Sequence, residues 1–207
     1  ENYMHWLICK ERTEIILFLF IWANAFEERK EIIFLSSNED NWMIRDIMEI
    51  RTATIADLAQ IAAVEAECFP SAEAATKEEF AERIKYYGNH FWLMFEDEKL
   101  IAFVDGFVTD KPDLTDEMYE RAEMHDENGA WQMIFGVNTI SAYRKHGYAG
   151  QLLQCAIEDA RKQGRKGLVL TCKEKLIAYY AKFGFENEGI SESVHGNVIW
   201  YQMRYKF

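Results

Sequence analysis

The sequence predicts an α+β (α/β mixed) fold, a mixed central sheet flanked by helices. Three observations predict it. Apolar strand-like runs alternate with segments of helical spacing through residues 48–206. One long amphipathic helix, with Leu152, Leu153, Ala156, Ile157 and Ala160 on a single stripe, separates two strand patterns, Trp131–Ile140 and Leu168–Cys172. A helix in that position is the crossover two neighbouring parallel strands require. The last pair of runs, 185–190 and 198–205, is joined through His195-Gly196-Asn197.

The elements follow in order. Met48-Glu49-Ile50-Arg51 alternates as a strand. Thr54 stands three residues before Asp57, a helix-start signature, and Leu58, Ile61, Ala62 and Glu65 carry a helix to about Cys68. Pro70 closes it, and Thr76 caps a second helix with Phe80, Ile84 and Tyr87 on one face. Phe91–Phe95 and Leu100–Val108 make a hairpin turning at Asp97-Glu98. A polar stretch with one helical piece between Leu114 and Met124 precedes Trp131. The long helix spans 147–162, a short helix runs from Lys175 to Phe183, and Gly184 ends it.

Residues 1–47 read as a separate N-terminal extension, and 48–207 as the domain. Ile15–Ala23 is apolar but too short for a bilayer span, and the acidic flanks Glu11, Glu14, Glu27 and Glu28 are wrong for a signal peptide. The extension is read either as amphipathic helices packing on the domain or on a second copy, making a homodimer, or as upstream sequence ahead of a natural start at Met48.

At 207 residues and 49% hydrophobic, the chain can bury a true core. A net charge of −12 argues against a nucleic-acid partner; it favours approach of a cationic substrate such as an amine, though by itself the number is explained as well by solubility. Cys9, Cys68, Cys155 and Cys172 are scattered, which fits a reducing cytoplasm and implies no metal. No membrane association is expected. His90, His125 and His195 read as loop or surface histidines.

The stretch Arg144-Lys145-His146-Gly147-Tyr148-Ala149-Gly150 opens the long helix. Small residues at 147, 149 and 150 leave first-turn amides bare, and the helix dipole adds partial positive charge, so a diphosphate can seat there. Alone, these residues fit a tight strand-to-helix turn equally well. The stretch resembles the acyl-CoA-binding loop of the GNAT N-acetyltransferases, Arg/Gln-x-x-Gly-x-Gly/Ala. About 30 residues on, Tyr179-Tyr180-Ala181-Lys182-Phe183-Gly184-Phe185 resembles that family's tyrosine helix and Phe-Gly-Phe turn. Element order over 48–206 is similar too.

The resemblance implies the GNAT acyl-CoA N-acyltransferase fold and direct transfer of acetyl from acetyl-CoA, the co-substrate, to a primary amine. It implies a coenzyme site of Val137, Asn138, Thr139, Arg144, Lys145, His146, Gly147, Tyr148, Ala149, Gly150 and Tyr180. The main chain of 137–139 would pair with the pantetheine arm, and Tyr180 would protonate the leaving thiolate. Within the family the likeness is to arylalkylamine and polyamine N-acetyltransferases, through Glu67–Ala75 and Leu170–Glu174. Where vertebrate members carry a histidine pair, Met133 and Phe135 stand here. Glu73 falls where some insect members place a catalytic glutamate, which makes it the expected base. Phe69, Glu73 and Thr171 are expected at the substrate, with Tyr86, Tyr87, Phe91 and Trp92 as further lining. The alternatives are a non-catalytic acyl-CoA sensor and an acetyltransferase of protein N-termini or lysines.

Overall fold

The computed structural model describes residues 48–207 in full. Ahead of them it describes only the backbone of the strands His5–Glu11 (β1), Glu14–Trp22 (β2), Lys30–Asn38 (β3) and Asn41–Arg51 (β4). These form an antiparallel meander where helices were expected. β2, with the sequence EIILFLFIW, is rich in the β-branched and aromatic residues that suit a pleated strand better than a helix. The expected dimer surface in 1–47 rests on side chains outside the described residues.

From β4 the chain runs through a 3₁₀ turn into α1 (Leu58–Cys68), then α2 (Lys77–Tyr87), β5 (Phe91–Glu96), β6 (Lys99–Asp105) and β7 (Val108–Thr109). There follow α3 (Glu117–Glu120), β8 (Trp131–Ile134), β9 (Gly136–Thr139), α4 (Tyr148–Lys162), β10 (Gly167–Cys172), α5 (Ile177–Ala181), β11 (Glu186–Ile190) and β12 (Tyr201–Lys206). Local chemistry explains the starts. The Asp57 carboxylate accepts from the Thr54 N–H at 2.8 Å and pairs with Arg51, and Thr76 with Glu79 forms a reciprocal capping box on α2.

The strands make two sheets, ordered β1-β2-β3-β4-β5-β6-β9 and β11-β12-β10-β8-β7. The run expected as one strand, 131–140, breaks at Phe135 into β8 and β9, and each half joins a different sheet. β10 pairs in parallel with β8 over Gly167–Leu170, with α4 as the crossover, and does not follow β9. Among the described residues β9 pairs with β6 alone, so the sheets part along its other edge. Phe80, Phe91, Phe103, Leu152, Leu153 and Met203 are fully buried in the core on either side.

Candidate functional site

The parting of the two sheets leaves a strand edge open. Ile140 donates to the Ile101 carbonyl at 3.0 Å, so Ile140 and, two residues earlier, Asn138 turn their main-chain groups to β6. Val137 and Thr139 therefore turn theirs to the gap. Arg144 Nε and the Cys68 thiol both donate to the Thr139 carbonyl from that side, at 3.0 and 3.3 Å. Asn138 thus does not fit the expected main-chain role: β6 takes its backbone, and its side chain lies on the other face against Glu65.

At the end of the gap α4 begins. Lys145 and Gly147 both have left-handed backbone, φ 69° and 84°, which curls the chain into the helix and turns successive amides outward. Gln151 is the first residue to return a hydrogen bond, to the Gly147 carbonyl at 3.1 Å. The amides of Lys145, His146, Gly147, Ala149 and Gly150 take none among the described residues. A Cβ on Gly147 would meet nothing within 4 Å, so the space over the loop is open. His146 stacks on Tyr148, and Glu67 pins the approach by accepting from the Ser141 amide at 2.6 Å. Thr139 Oγ1 and Gln151 Oε1 are buried with no partner. Bare amides, an unpaired strand edge and orphaned oxygens suit an extended, diphosphate-bearing coenzyme such as acetyl-CoA.

A cavity of about 400 Å³ opens beside this gap. Phe69, Glu73, Thr171 and Tyr180, expected at the site, all line it, together with Phe135, Gly136 and Val137. Tyr87, Phe91 and Trp92 do not: they are core residues, and Tyr86 is exposed. Tyr180 is buried, and its phenol takes no hydrogen bond among the described residues. Burial, then neighbouring Cys172, pushes it above the usual phenol range, so it stays protonated at neutral pH. Cys172 lines the cavity too, but burial raises its thiol to about 11, which leaves it un-ionised and a poor nucleophile.

Glu73 lies differently from expectation. Lys173 Nζ contacts both its oxygens, at 2.8 and 2.9 Å, and His195 Nε2 meets its carbonyl at 3.1 Å. The His195 contact latches the α1–α2 loop to the β11–β12 loop over the cavity, and the Lys173 contact ties it to the segment just after β10. His195 is on a loop, as expected, but it also stacks on Tyr119 and lines the cavity.

Four polar residues not expected at the site complete the interior. Arg83 is buried and donates to Asp105 Oδ2 at 3.2 Å and to the Tyr119 carbonyl at 3.0 Å. Burial outweighs Arg83 and carries the Asp105 carboxyl up to about 6. Burial, then the Asp105 charge, carries Glu65 up to about 7. Burial likewise lifts Tyr119 to about 12, with its hydroxyl 3.3 Å from Thr171 Oγ1. The only available signal was Glu65 falling at helical spacing after Ile61, on the buried face of α1.

His90 and His125 are likewise buried and half-buried, respectively, and form a second cluster with Glu127. Its ring nitrogens are already used: His90 Nδ1 meets Gln132 at 2.8 Å, His125 Nδ1 accepts from the Val108 amide, and Arg165 pairs with Glu127 at 2.8 Å. The cluster reads as a structural clasp.

Residues 58–185 match the Acetyltransferase (GNAT) family, so the chain belongs to that family of acyl-CoA-dependent N-acetyltransferases. It is 26% identical over 111 residues to serotonin N-acetyltransferase of Mesocricetus auratus, and that match covers 53% of this chain and 52% of the relative. The chain therefore spans about half the length of this curated relative. Two solved structures share the fold. One is the GphF GNAT-like decarboxylase in complex with isobutyryl-CoA, with TM-score 0.66, 20% identity and coverage of 76% of this chain and 98% of that one. The other is Arabidopsis thaliana Naa50 in complex with a CoA bisubstrate analogue, with TM-score 0.58, 17% identity and coverage of 77% and 99%. No helix of the described residues is long and apolar enough to cross a membrane.

One prediction follows from the loop. Gly147→Ala forces a side chain into left-handed backbone, at a cost of about 1 kcal/mol. Titration calorimetry should show CoA affinity falling by about fivefold to tenfold, with the fold intact by circular dichroism.

Proposed function

We propose that the domain moves an acetyl group from acetyl-CoA to the primary amine of a small cationic molecule, of arylalkylamine or polyamine type, by direct attack in a ternary complex. The observation that carries this is the character of the cavity. Six lining side chains are carboxylates (Glu65, Glu73, Glu79, Asp105, Asp116 and Glu120) and one, Arg83, is a guanidinium. Such a lining favours a positively charged guest. Phe69, Phe135, Tyr119 and Trp200 supply apolar faces for its carbon frame.

In this reading the amides of 145–150 hold the diphosphate and the outward main chain of Val137 and Thr139 holds the pantetheine arm. The thioester supplies an activated acetyl group. The Val137 N–H is the donor for the oxygen on which charge develops, and Tyr180 protonates the departing sulfur. A phenol above its usual range is a weaker acid than a thiol of about 8.5, so the transfer is uphill unless the attacking nitrogen loses its second proton in the same step. The two bond changes are thus expected to be concerted.

Thiol release with acetyl-CoA and a panel of small amines tests the reading. Turnover should be greatest with a cationic aliphatic or arylalkyl amine. A second reading, acetylation of a protein N-terminus, draws on the exposed apolar Val194 and Ile199 of the β11–β12 loop. Turnover confined to peptides in the same assay would replace the first reading with the second. Activity on the amine should also survive Glu73→Gln with its pH–rate profile unmoved, because Lys173 already holds that carboxylate. A lost acid limb would return Glu73 to the role of base.

A further inference from the structure

We propose that Glu65, with Asp105 behind it, is the group that takes the proton of the incoming ammonium, while Glu73 serves as the latch between the two loops. This rests on the transferase reading above. Glu65 lies near the end of α1 and lines the cavity at its inner end. Two donors hold it from opposite sides: the Ala75 amide meets Oε1 at 3.1 Å, and Asn138 Nδ2 meets Oε2 at 3.1 Å. Neither is a cation, and among the described residues no Lys, Arg or His pairs with Glu65 as Lys173 pairs with Glu73. Arg83 is spent on Asp105 and the Tyr119 carbonyl.

The surroundings are set to accept. Asp105 Oδ1 and Asn138 Oδ1 are buried without a hydrogen-bond partner among the described residues. Both side chains converge on Gly136, where a Cβ would lie 2.6 Å from Asp105 Oδ1 and 2.9 Å from Asn138 Nδ2. Only glycine lets β9 pass so close, and the approach puts this polar cluster directly behind the strand whose other edge faces the coenzyme gap.

Charged and titratable groups meet Glu65 from each element packed around it. They are Asp105 from β6, Arg83 from α2, and Cys68 from its own helix; Glu73, Glu79, Asp116, Tyr119, Glu120, Cys172, Tyr180 and His195 lie around the cavity. Burial dominates and the Asp105 charge adds to it, which brings Glu65 to about 7, where a general base works best at neutral pH. A bound ammonium facing Glu65 and Asp105 would favour their ionised forms.

The balance is complete without another reagent. The ammonium gives one proton to the Glu65 carboxylate, the freed lone pair forms the C–N bond, and the C–S bond breaks. Tyr180 gives its proton to the sulfur and is reprotonated by the second proton from nitrogen. Glu65 then releases its proton to solvent through the cavity. Asp105 touches none of the reacting atoms; it is a positioning residue that sets the affinity of Glu65 for the proton.

The test is the pH dependence of kcat/KM for the best amine, on the full chain. Wild type should lose activity below about 7. Glu65→Gln should cut the rate about a hundredfold or more and abolish that limb, with CoA affinity retained as proof of folding. Asp105→Asn should move the limb to lower pH, a shift that a purely structural role would not give. Glu65→Asp, which keeps a carboxylate, should retain the limb at a reduced rate. A Glu65→Gln enzyme with wild-type rate and limb overturns the proposal and leaves the transferase reading standing. A wild type that turns over no amine or peptide overturns both.

Discussion

Tyr180→Phe should lower kcat by about a hundredfold to a thousandfold while leaving the affinity for acetyl-CoA unchanged. The hydroxyl makes no protein hydrogen bond that packing depends on, and its ring sits edge-on to Tyr179 and Phe185, contacts that phenylalanine keeps. Removing the oxygen therefore subtracts chemistry and little else. Rapid-mixing measurement of thiol release separates that step from product release. A variant with full single-turnover rate would remove Tyr180 from the role of acid.

Arg83→Met should destabilise the fold by about 3–5 kcal/mol at pH 8, the cost of stranding a buried carboxylate. Arg83 contacts Asp105 where both are nearly solvent-free, and its guanidinium lies against Phe80 and Phe135. The penalty depends on pH in a definite direction. Asp105 is raised to about 6 and Glu65 to about 7, both above their unfolded values, so the folded state binds more protons than the unfolded state between about pH 4 and 7. Their contribution to stability is fully present below the unfolded values and is lost as pH rises through the folded ones. Wild type should therefore lose stability from this pair on going from pH 5 to 8, and the variant should lose more. Urea denaturation at the two pH values measures this. An equal penalty at both would show that Asp105 does not carry the charge assigned to it. By the same linkage, Glu65→Gln should raise stability at pH 8, by on the order of 2 kcal/mol, while it destroys activity.

The two lesions read different parts of the sequence. The loop proposed to seat the coenzyme was legible as a loop because it is made of local features: glycine at a left-handed position, small residues in a first turn, and a helix stripe that begins there. Tyr180 was legible for a similar reason, since its helix and the Phe-Gly-Phe turn are contiguous. The interior was not. Glu65, Arg83, Asp105 and Tyr119 come from α1, α2, β6 and α3, and nothing in sequence spacing says that they meet. The break at Phe135 was hidden as well: 131–140 is a single apolar run, and only long-range pairing with β10 on one half and β6 on the other divides it. Glu73 was found in the right place and given the wrong company, because its partner Lys173 lies 100 residues on. Tyr87 and Phe91 went to the core, where their fully buried rings pack on Phe80, Phe103 and Phe107, and Trp92 is buried with its indole N–H on Asp159.

What links these observations is one strand, β9. Its paired side carries Asn138 toward Glu65, and its free edge, Val137 and Thr139, looks into the gap that ends at the α4 amides. A crystal structure of the full chain with acetyl-CoA tests this division most directly. The diphosphate should lie on the amides of residues 145–150, the pantetheine against Val137 and Thr139, and the sulfur within hydrogen-bond reach of the Tyr180 hydroxyl. A diphosphate bound elsewhere, or a thioester outside the cavity that Glu65 and Tyr180 both line, would contradict the account.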